Sequence, residues 1–301
     1  METFRPVFRQ VDITDKDEIT RFLRLYPQNE GSECTFSNLF IWAQSEDIRW
    51  AVINDCLLLQ THAKNMPPRM LMAFAPQDLL GNALDASVEA MESQGVPFMM
   101  SSLPAWYCDL MSHVQPGRFA FEREPHHDDY VYETQSLITL SGKKLHAKRN
   151  HINRFMADYG DRYTYEPYHT GLYNDCMDVY SRWLEGDSSA VLMEEKISVQ
   201  RGLQHADALG LVGGVLRIDG RVEAFTLGER ITHDMALIHI EKASFEIPGL
   251  FTMINREFAA NALSDMTWIN REEDMGIEGL RHAKRSYNPA RMVEKFGAIL
   301  T

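Results

Sequence analysis

The chain has 301 residues, of which 45% are hydrophobic and 24% are charged, the profile of a globular protein. Its formal net charge of −13 at pH 7 argues against non-specific coating of nucleic acid or anionic membrane, because such binding needs an excess of basic residues. No apolar run approaches the length needed to span a bilayer.

The cysteine pattern indicates a reducing compartment. Cys34, Cys56, Cys108 and Cys176 are far apart and include no CxxC pair. This spacing predicts buried thiols and indicates neither a disulfide framework nor a metal site. The N-terminus lacks the basic and apolar regions of a signal peptide, so we expect a cytoplasmic protein.

The first half of the chain predicts a mixed α+β unit. Asp15 and Glu18 have capping-box spacing at a helix start, and Asn54-Asp55 is a turn between two strand patterns. The predicted elements are, in chain order, strand 4–8, helices 15–26 and 36–44, strands 49–53, 56–61 and 70–75, helix 78–93, strand 96–101, helix 105–113, and strands 119–122 and 130–133.

The second half predicts the same order. Its clearest signal is Asp219-Gly220, a favoured two-residue hairpin turn. The predicted elements are strand 163–166, helices 172–184 and 194–208, strands 211–218, 221–227 and 235–240, a helix over 251–262, strand 266–269, helix 277–287 and strand 292–299.

The order shared by the two halves resembles the fold of GCN5-related N-acyltransferases. The resemblance implies an α+β fold with mixed sheets and flanking helices, built as a tandem repeat of two acyltransferase-like domains. The expected division is an N-terminal domain over 1–135, a basic connecting helix over 136–160 and a C-terminal domain over 161–301.

The connecting helix is a candidate anion site. Residues 141–156 carry five basic side chains, and no acid occurs before Asp158. Lys144, Lys148 and His151 share one helical side at i, i+4 and i+7. Such a cluster suits the phosphates of a coenzyme, a tRNA or a lipid headgroup. The alternative is a solvated face that pairs with acids elsewhere in the fold.

The stretch 270–289 joins a predicted strand to a predicted helix. Its acids precede the helix, and Arg281 and Lys284 on the helix are spaced to present two cations to one anion. A strand end that leads into a helix is a common ligand site. The alternative is a well-capped surface helix with ordinary ion pairs.

The chain resembles one family over nearly its whole length. The stretches that carry the resemblance are 144–155, 270–289, 240–243 and the hairpin near Gly213-Gly214. The family comprises uncharacterised bacterial proteins grouped with the C-terminal domain of phosphatidylglycerol lysyltransferases, and it is similar also to the Fem peptidoglycan aminoacyltransferases. The lysyltransferases take an aminoacyl group from tRNA, place it on a lipid hydroxyl and carry a membrane-spanning region that this chain lacks.

Three residues are candidates for acid–base chemistry. Strand alternation predicts that His239 and Glu241 share one face and that Ile238 and Ile240 share the other. Glu241 is then a candidate general base or amine anchor with His239 beside it, and Tyr287 a candidate hydroxyl donor. The alternatives are a structural ion pair and a core tyrosine.

The remaining candidates are donor-binding residues. Gly249 occupies the place where acyltransferases of this fold cradle a pyrophosphate, but the usual coenzyme A pattern has a basic residue and several glycines, whereas here Glu246 is close by. Asp274 is expected to cap the following helix. The complete donor-binding set is Lys144, Lys148, Arg149, Asn150, Asn153, Gly249, Asn270, Arg271, Glu272, Asp274, Arg281 and Lys284.

These residues lead to three hypotheses. The first is a transferase that moves an acyl or aminoacyl group from aminoacyl-tRNA or acyl-CoA to an amine or hydroxyl on a lipid or peptide acceptor. The second is a non-catalytic binding or scaffold protein on a degenerate acyltransferase fold, which the weak glycine loop favours. The third is an ordinary acetyl-coenzyme A N-acetyltransferase.

Overall fold

The computed structural model describes residues 6–64, 66–184 and 190–301. The chain divides into two compact units. Unit 1 comprises Met1–Asp128 and Val293–Thr301, and unit 2 comprises Asp129–Met292. Within the described residues, no helix has both the length and the apolar character of a membrane span.

The elements follow one another as alternating groups of helices and strands. Those before residue 128 are β1 (Arg9–Gln10), α1 (Lys16–Leu23), α2 (Phe36–Trp42), β2 (Ile48–Ile53), β3 (Cys56–Thr61), β4 (Arg69–Met70), α3 (Leu80–Ser93), β5 (Met99–Pro104), α4 (Ala105–Val114) and β6 (Phe119–Arg123). Those after it are β7 (Asp129–Glu133), α5 (Thr134–Thr139), α6 (His146–Tyr159), β8 (Tyr163–Pro167), α7 (Tyr173–Trp183), α8 (Ala190–Gln204), α9 (Ala206–Leu209), β9 (Val212–Ile218), β10 (Arg221–Arg230), β11 (Met235–Ala243), α10 (Leu250–Ala262), β12 (Trp268–Asn270), α11 (Glu278–Arg285), β13 (Arg291–Val293) and β14 (Lys295–Leu300).

Unit 1 is built on a sheet with the strand order β1-β2-β3-β4-β5-β14-β6. Strands β4 and β5 are parallel, and the other pairs are antiparallel. The hairpin between β2 and β3 is confirmed, and its turn residues Asn54 and Asp55 have φ values of 48° and 58°, the left-handed region that such short turns require.

Unit 2 is built on a sheet with the order β13-β7-β12-β11-β10-β9-β8, in which β11 and β12 are parallel. One apolar cluster contains residues of α5, α6 and α10 together with alternate residues of the strands. A second cluster contains residues of α7 and α8 with other residues of the same strands. The hairpin at Asp219-Gly220 is confirmed by the pairing of β9 with β10.

Two strands near the unit boundaries lie in a different sheet from the one expected for their half of the chain. The strand predicted over 130–133 was expected in the first half, but β7 lies in the sheet of unit 2, where Tyr132 pairs with Ile269. The strand predicted over 292–299 was expected in the second half, but β14 lies in the sheet of unit 1, where Phe296 pairs with Leu103. Element order does not specify which sheet a strand joins, because strand pairing is a long-range contact.

Two strand predictions near the N-terminus also differ from the structure. The first strand is β1 at Arg9–Gln10, residues 6–8 have no regular structure, and residues 4 and 5 of the predicted strand lie outside the described residues. The strand predicted over 70–75 is only the two-residue β4, followed by an isolated bridge between Leu57 and Phe74.

A β-bulge in β11 overturns the predicted alternation. Leu227 pairs with Ile240 and Gly228 with Ile238, so β11 carries one extra residue, His239. A bulge shifts the following side chains to the opposite face. Ile238 accordingly belongs to the cluster of α10, and Ile240 to the cluster of α7. Glu241 bonds to Asn255 of α10, whereas His239 contacts other partners, described below.

Candidate functional site at the carboxyl ends of two parallel strands

The candidate site of unit 2 lies where β11 and β12 end. The two strands are parallel, with Leu237 opposite Asn270, so their carboxyl ends meet at one edge of the sheet. Helix α10 follows the first strand and α11 follows the second. This edge is where open α/β sheets commonly bind ligands.

The centre of the site is a carboxylate with two partners. Arg271 Nη2 donates to Glu241 Oε1 at 2.9 Å, and Asn255 Nδ2 donates to Glu241 Oε2 at 2.9 Å. The Arg271 and Glu241 side chains are only 12% and 10% exposed. Burial opposes the charge of Arg271, but the Glu241 carboxylate outweighs it and raises the pKa of the guanidinium. The Arg271 guanidinium is therefore charged.

The ring of Tyr287 supports two cations. The Arg271 guanidinium carbon lies 4.8 Å from the ring centroid, and Lys148 Nζ lies 3.9 Å from it, the geometry of cation–π contacts. The hydroxyl of Tyr287 donates to Thr252 Oγ1 at 3.3 Å. Burial and the charge of Arg271 lower the pKa of Lys148 to about 8, so this amine titrates near neutral pH.

Two polar atoms of the site have no hydrogen-bonding partner among the described residues. They are the acceptor Asn255 Oδ1 and the donor Arg271 Nη1, and both are buried. Buried polar groups are normally hydrogen-bonded. Both belong to side chains that bind Glu241 through another nitrogen, so a group bound next to these side chains would gain interactions.

His239 lies between two carboxylates. Its Nε2 is 3.0 Å from Glu229 Oε1, and its Nδ1 is 2.9 Å from Glu272 Oε1. Burial would lower the pKa of His239, but the two carboxylates outweigh burial and raise it to about 9. The imidazole is protonated at neutral pH, and the geometry is that of an ion-pair clamp, which is not suited to a general base.

Asn270 and Lys284 hold the loop after β12. Asn270 Nδ2 donates to Asp129 Oδ2 at 2.9 Å, and Asn270 Oδ1 accepts from the Glu272 backbone at 2.7 Å. Lys284 Nζ donates to the Arg271 carbonyl at 2.5 Å and also to the Glu273 carbonyl. Burial lowers the pKa of Lys284 to about 8. Both side chains fix the backbone from which Arg271 projects.

The prediction that Asp274 caps the following helix is wrong, because the N-cap of α11 is Ile277; the Asp274 carboxylate instead holds the turn before that helix. Arg281 Nε and Nη2 each donate to its carboxylate at 2.9 Å, and the Tyr130 hydroxyl donates at 2.7 Å. Gly276 N donates to the same carboxylate at 2.9 Å. Burial opposes ionisation, but these donors hold the pKa of Asp274 at about 2. Arg281 and Lys284 therefore bind different partners.

Helix α6 contributes one basic residue to the site. Lys148 reaches Tyr287, whereas Arg149 Nη1 donates to the carbonyls of Leu140 and Gly142 at the end of α5. Of the other candidates in this segment, Lys144 lies in the short turn before α6, and Asn150 and Asn153 lie on α6; all three are exposed. The structure thus separates Lys148 from Lys144, Asn150 and Asn153.

Gly249 packs against the backbone of α6. Its φ is 85°, and a Cβ added there would lie 2.3 Å from the His151 carbonyl oxygen. No lysine or arginine occurs from residue 243 to residue 252, and Glu246 is exposed. These residues do not fit the pyrophosphate of coenzyme A, which needs open amides at this helix start and a basic partner.

Sequence reasoning missed five side chains of these contacts. They are Tyr130, Thr252, Asn255, Glu229 and Asp129. The sequence could have indicated Asn255, because it is a polar residue beside Met253 and Ile254 on the buried side of α10. A polar group there needs a hydrogen-bonding partner. Glu229 and Asp129 had no such signal, since only strand pairing brings them to His239 and Asn270.

Comparison with known proteins identifies a family. Residues 24–299 match the family model described as "Phosphatidylglycerol lysyltransferase, C-terminal". A curated relative, an uncharacterised protein of Mycoplasmoides gallisepticum, is 25% identical over 179 residues, which is 56% of this chain. The match covers 54% of that relative, so the chain spans about half the length of the protein it matches.

Solved structures share the fold. A conserved protein of unknown function from Bacteroides thetaiotaomicron is 35% identical over 98% of this chain and 100% of that chain, with a TM-score of 0.88. The C-terminal domain of a putative lysylphosphatidylglycerol synthetase from Agrobacterium fabrum is 14% identical over 94% and 91%, with a TM-score of 0.63.

A tandem GNAT protein from the clavulanic acid biosynthesis pathway is 10% identical over 97% of this chain and 98% of that chain, with a TM-score of 0.51. With the two mixed sheets, these likenesses confirm the predicted α+β fold of two acyltransferase-like domains in tandem.

Proposed function

Because the chain belongs to the phosphatidylglycerol lysyltransferase C-terminal family, we propose that it transfers an acyl group, in particular an aminoacyl group, from a phosphate-rich donor to an amine or hydroxyl. The candidate donors are aminoacyl-tRNA and acyl-CoA, and the candidate acceptors are lipids and peptides. The observation that carries the proposal is Arg271 Nη1, a buried cationic donor without a partner among the described residues.

The reaction needs a group that stabilises negative charge on the acyl oxygen. The acceptor's oxygen or nitrogen forms a bond to the acyl carbon, and the bond from that carbon to the donor's ester oxygen, or to the sulfur of an acyl-CoA, breaks with its electron pair. The leaving atom takes up the proton that the acceptor loses. In between, the carbonyl oxygen is an oxyanion. A preorganised guanidinium in a water-poor site is suited to stabilise it, and Glu241 and Tyr287 hold Arg271 in place.

The reaction also needs a base for the acceptor's proton. Lys148 has a lowered pKa of about 8, which gives a useful fraction of neutral amine near pH 7 to 8, where general bases work best. Lys284 has a similar pKa, but its amine already donates to the Arg271 and Glu273 carbonyls. Glu241 is less suited, because both of its oxygens already accept hydrogen bonds. His239 is less suited because it is protonated.

We assign the donor's phosphates to the exposed side of α6 and the turn before it. Lys144 in that turn and Asn150 and Asn153 on α6 are exposed, which suits a polyanion approaching from solvent. The contact between Gly249 and His151 disfavours coenzyme A. We therefore favour aminoacyl-tRNA as the donor, and with it the predicted cytoplasmic location.

Transfer of a labelled aminoacyl group tests the proposal. The full chain is incubated with tRNA charged with labelled amino acids and with either anionic lipid vesicles or amino-terminated peptides, and acyl-CoA consumption is measured in parallel. We expect label to move from tRNA to one acceptor class. Lys148→Met should slow transfer at least tenfold, whereas the exposed Lys64 changed to Met should not. Consumption of the thioester alone would assign the donor as coenzyme A.

A non-catalytic binding protein is the second candidate. It is favoured by the saturation of the Glu241 carboxylate and by the burial of Asn270 against Asp129, because a working cleft would present such groups to substrate. A binding protein would bind the charged tRNA saturably, and the label would stay on the tRNA whichever acceptor is added.

A further inference from the structure

His239 occupies an irregular position in β11. It is the extra residue of the bulge opposite Leu227 and Gly228, and its side chain has no exposed surface. Bulges beside functional sites commonly aim a side chain that regular pairing would turn elsewhere. Here the bulge brings the ring to Glu229 of β10 and to Glu272 in the loop after β12.

The two contacts of His239 require a protonated ring. A neutral imidazole has one N–H donor and one lone pair, whereas Nε2 and Nδ1 of His239 each lie beside a carboxylate oxygen, at 3.0 and 2.9 Å. Glu229 and Glu272 are the charged groups that bind the ring, and Glu273 and Lys284 act in turn on Glu272. Loss of the proton would leave a lone pair facing one of two poorly solvated carboxylates, where like charges repel strongly.

Glu272 determines how the chain leaves β12. Its φ is 58°, a left-handed conformation that residues other than glycine adopt at a cost. Its amide donates to Asn270 Oδ1, its carbonyl accepts from the Tyr130 amide, and its side chain binds His239. Arg271 directly precedes this turn, so loss of the His239 contact would loosen the backbone from which Arg271 projects.

We infer that His239 is a positioning residue for the proposed transfer: its imidazolium fixes the turn at Glu272, thereby places Arg271 at the acyl oxygen, and sets an upper pH limit for the reaction. The inference rests on the proposed function and adds the regulation of that site by pH. Lys148 acts in its neutral form, and His239 acts in its charged form.

These two protonation states give a bell-shaped dependence of kcat on pH. The rate rises as Lys148, with a pKa of about 8, loses its proton, and it falls as His239, with a pKa of about 9, loses its own. Lys284 also has a pKa of about 8. A neutral amine keeps two N–H donors for the two carbonyls that Lys284 binds, so its titration should leave the turn intact.

Transfer by His239→Gln from pH 7 to 10 tests the inference, with the uncatalysed loss of label from the tRNA subtracted. The glutamine side chain cannot carry a charge. We expect kcat at pH 7.5 to fall about tenfold, because a displaced group stabilises the transition state less well, with KM for the tRNA unchanged. The fall in rate above pH 9 should be absent. His233→Gln, at a side chain that is 91% exposed, should keep the wild-type kcat and pH profile.

Glu229→Gln is a second variant, which keeps the contact between His239 and Glu272. It removes one of the two carboxylates that raise the pKa of His239, so the alkaline fall in rate should begin at lower pH. An alkaline fall that stays at the wild-type pH in both variants would overturn the inference and leave the proposed function standing. No transfer by wild type at any pH would overturn the proposed function.

Hydrogen exchange tests the turn independently of activity. At pH 7.5 the amides of residues 271–273 should exchange faster in His239→Gln than in wild type or His233→Gln. If His239→Gln fails to fold, Glu229→Gln at pH 8.5 replaces it, because its His239 loses the proton before that of wild type. Equal exchange rates would overturn the inference, whether or not the wild type transfers an aminoacyl group.

Discussion

Arg271 and Glu241 form an ion pair of 2.9 Å in which neither side chain is more than 12% exposed. Asn255 completes the pair by donating to the second carboxylate oxygen. A buried pair is weak evidence for stability, but removing one partner leaves an uncompensated buried charge. This relationship predicts how the site responds to substitution.

Glu241→Gln should destabilise the protein by about 3 kcal/mol, because it leaves the Arg271 guanidinium buried without its counterion. The free energy of unfolding, measured with urea, checks this value. Glu246→Gln changes an exposed carboxylate and should have little effect. Adding Arg271→Met to Glu241→Gln should recover part of the loss, and strictly additive effects would contradict the coupling.

Loss of His239 should change the pH dependence of stability. The pKa of His239 is raised from 6.5 to about 9 in the folded protein, so its contribution is fully present below pH 6.5 and is lost as pH rises through 9. That contribution is on the order of 3 kcal/mol. The stability difference between wild type and His239→Gln should therefore shrink between pH 6.5 and 9.

The exposed His233 is the matched control for this measurement. Its side chain is 91% exposed, so His233→Gln should follow the wild-type curve. A stability difference for His239→Gln that stays constant across this pH range would contradict the ion-pair clamp.

Gly249→Ala should destabilise the protein by about 2–3 kcal/mol, since φ is positive and the new methyl group meets backbone that cannot move aside. The clashing atom is the His151 carbonyl oxygen at 2.3 Å. Gly279→Ala is the control, because nothing lies within 4 Å of its Cβ position. Chemical denaturation should show Gly279→Ala to be neutral or slightly stabilising, and equal effects would refute the close packing of α6.

Asp274→Asn should remove an acid-sensitive contribution to stability. The pKa of Asp274 is lowered from 3.8 to about 2, so its contribution is present above pH 4 and is lost as pH falls through 2. It is on the order of 2 kcal/mol. Thermal unfolding between pH 2 and 6 should show that the stability of Asp274→Asn approaches that of wild type only at acidic pH. Asp161→Asn, at an exposed position, should leave stability unchanged.

Local patterns were sufficient to predict much of the fold. The Asn54-Asp55 and Asp219-Gly220 turns fixed two hairpins, because their left-handed backbone is a property of a few adjacent residues. The destinations of β7 and β14 could not be predicted, since each joins a sheet through partners distant in sequence. The bulge at His239 was also hidden, because it is visible only as a change of register between β10 and β11.

The sequence predicted which residues come together at the candidate site better than it predicted their chemical roles. Glu241, Arg271, Lys148 and Tyr287 were all proposed, and the structure brings them together. Their roles depend on pairing, which sequence does not show. The protonated state of His239 follows from two carboxylates that lie 10 and 33 residues away in the chain.

The central claim is that this chain transfers an aminoacyl group at the site around Arg271 and Lys148. The rate of transfer from labelled aminoacyl-tRNA, compared among wild type, Lys148→Met and Lys64→Met, tests it most directly. We expect wild type and Lys64→Met to move the label to an acceptor at the same rate and Lys148→Met to do so at least tenfold more slowly. No transfer by wild type, or equal rates for Lys148→Met and Lys64→Met, would contradict the claim.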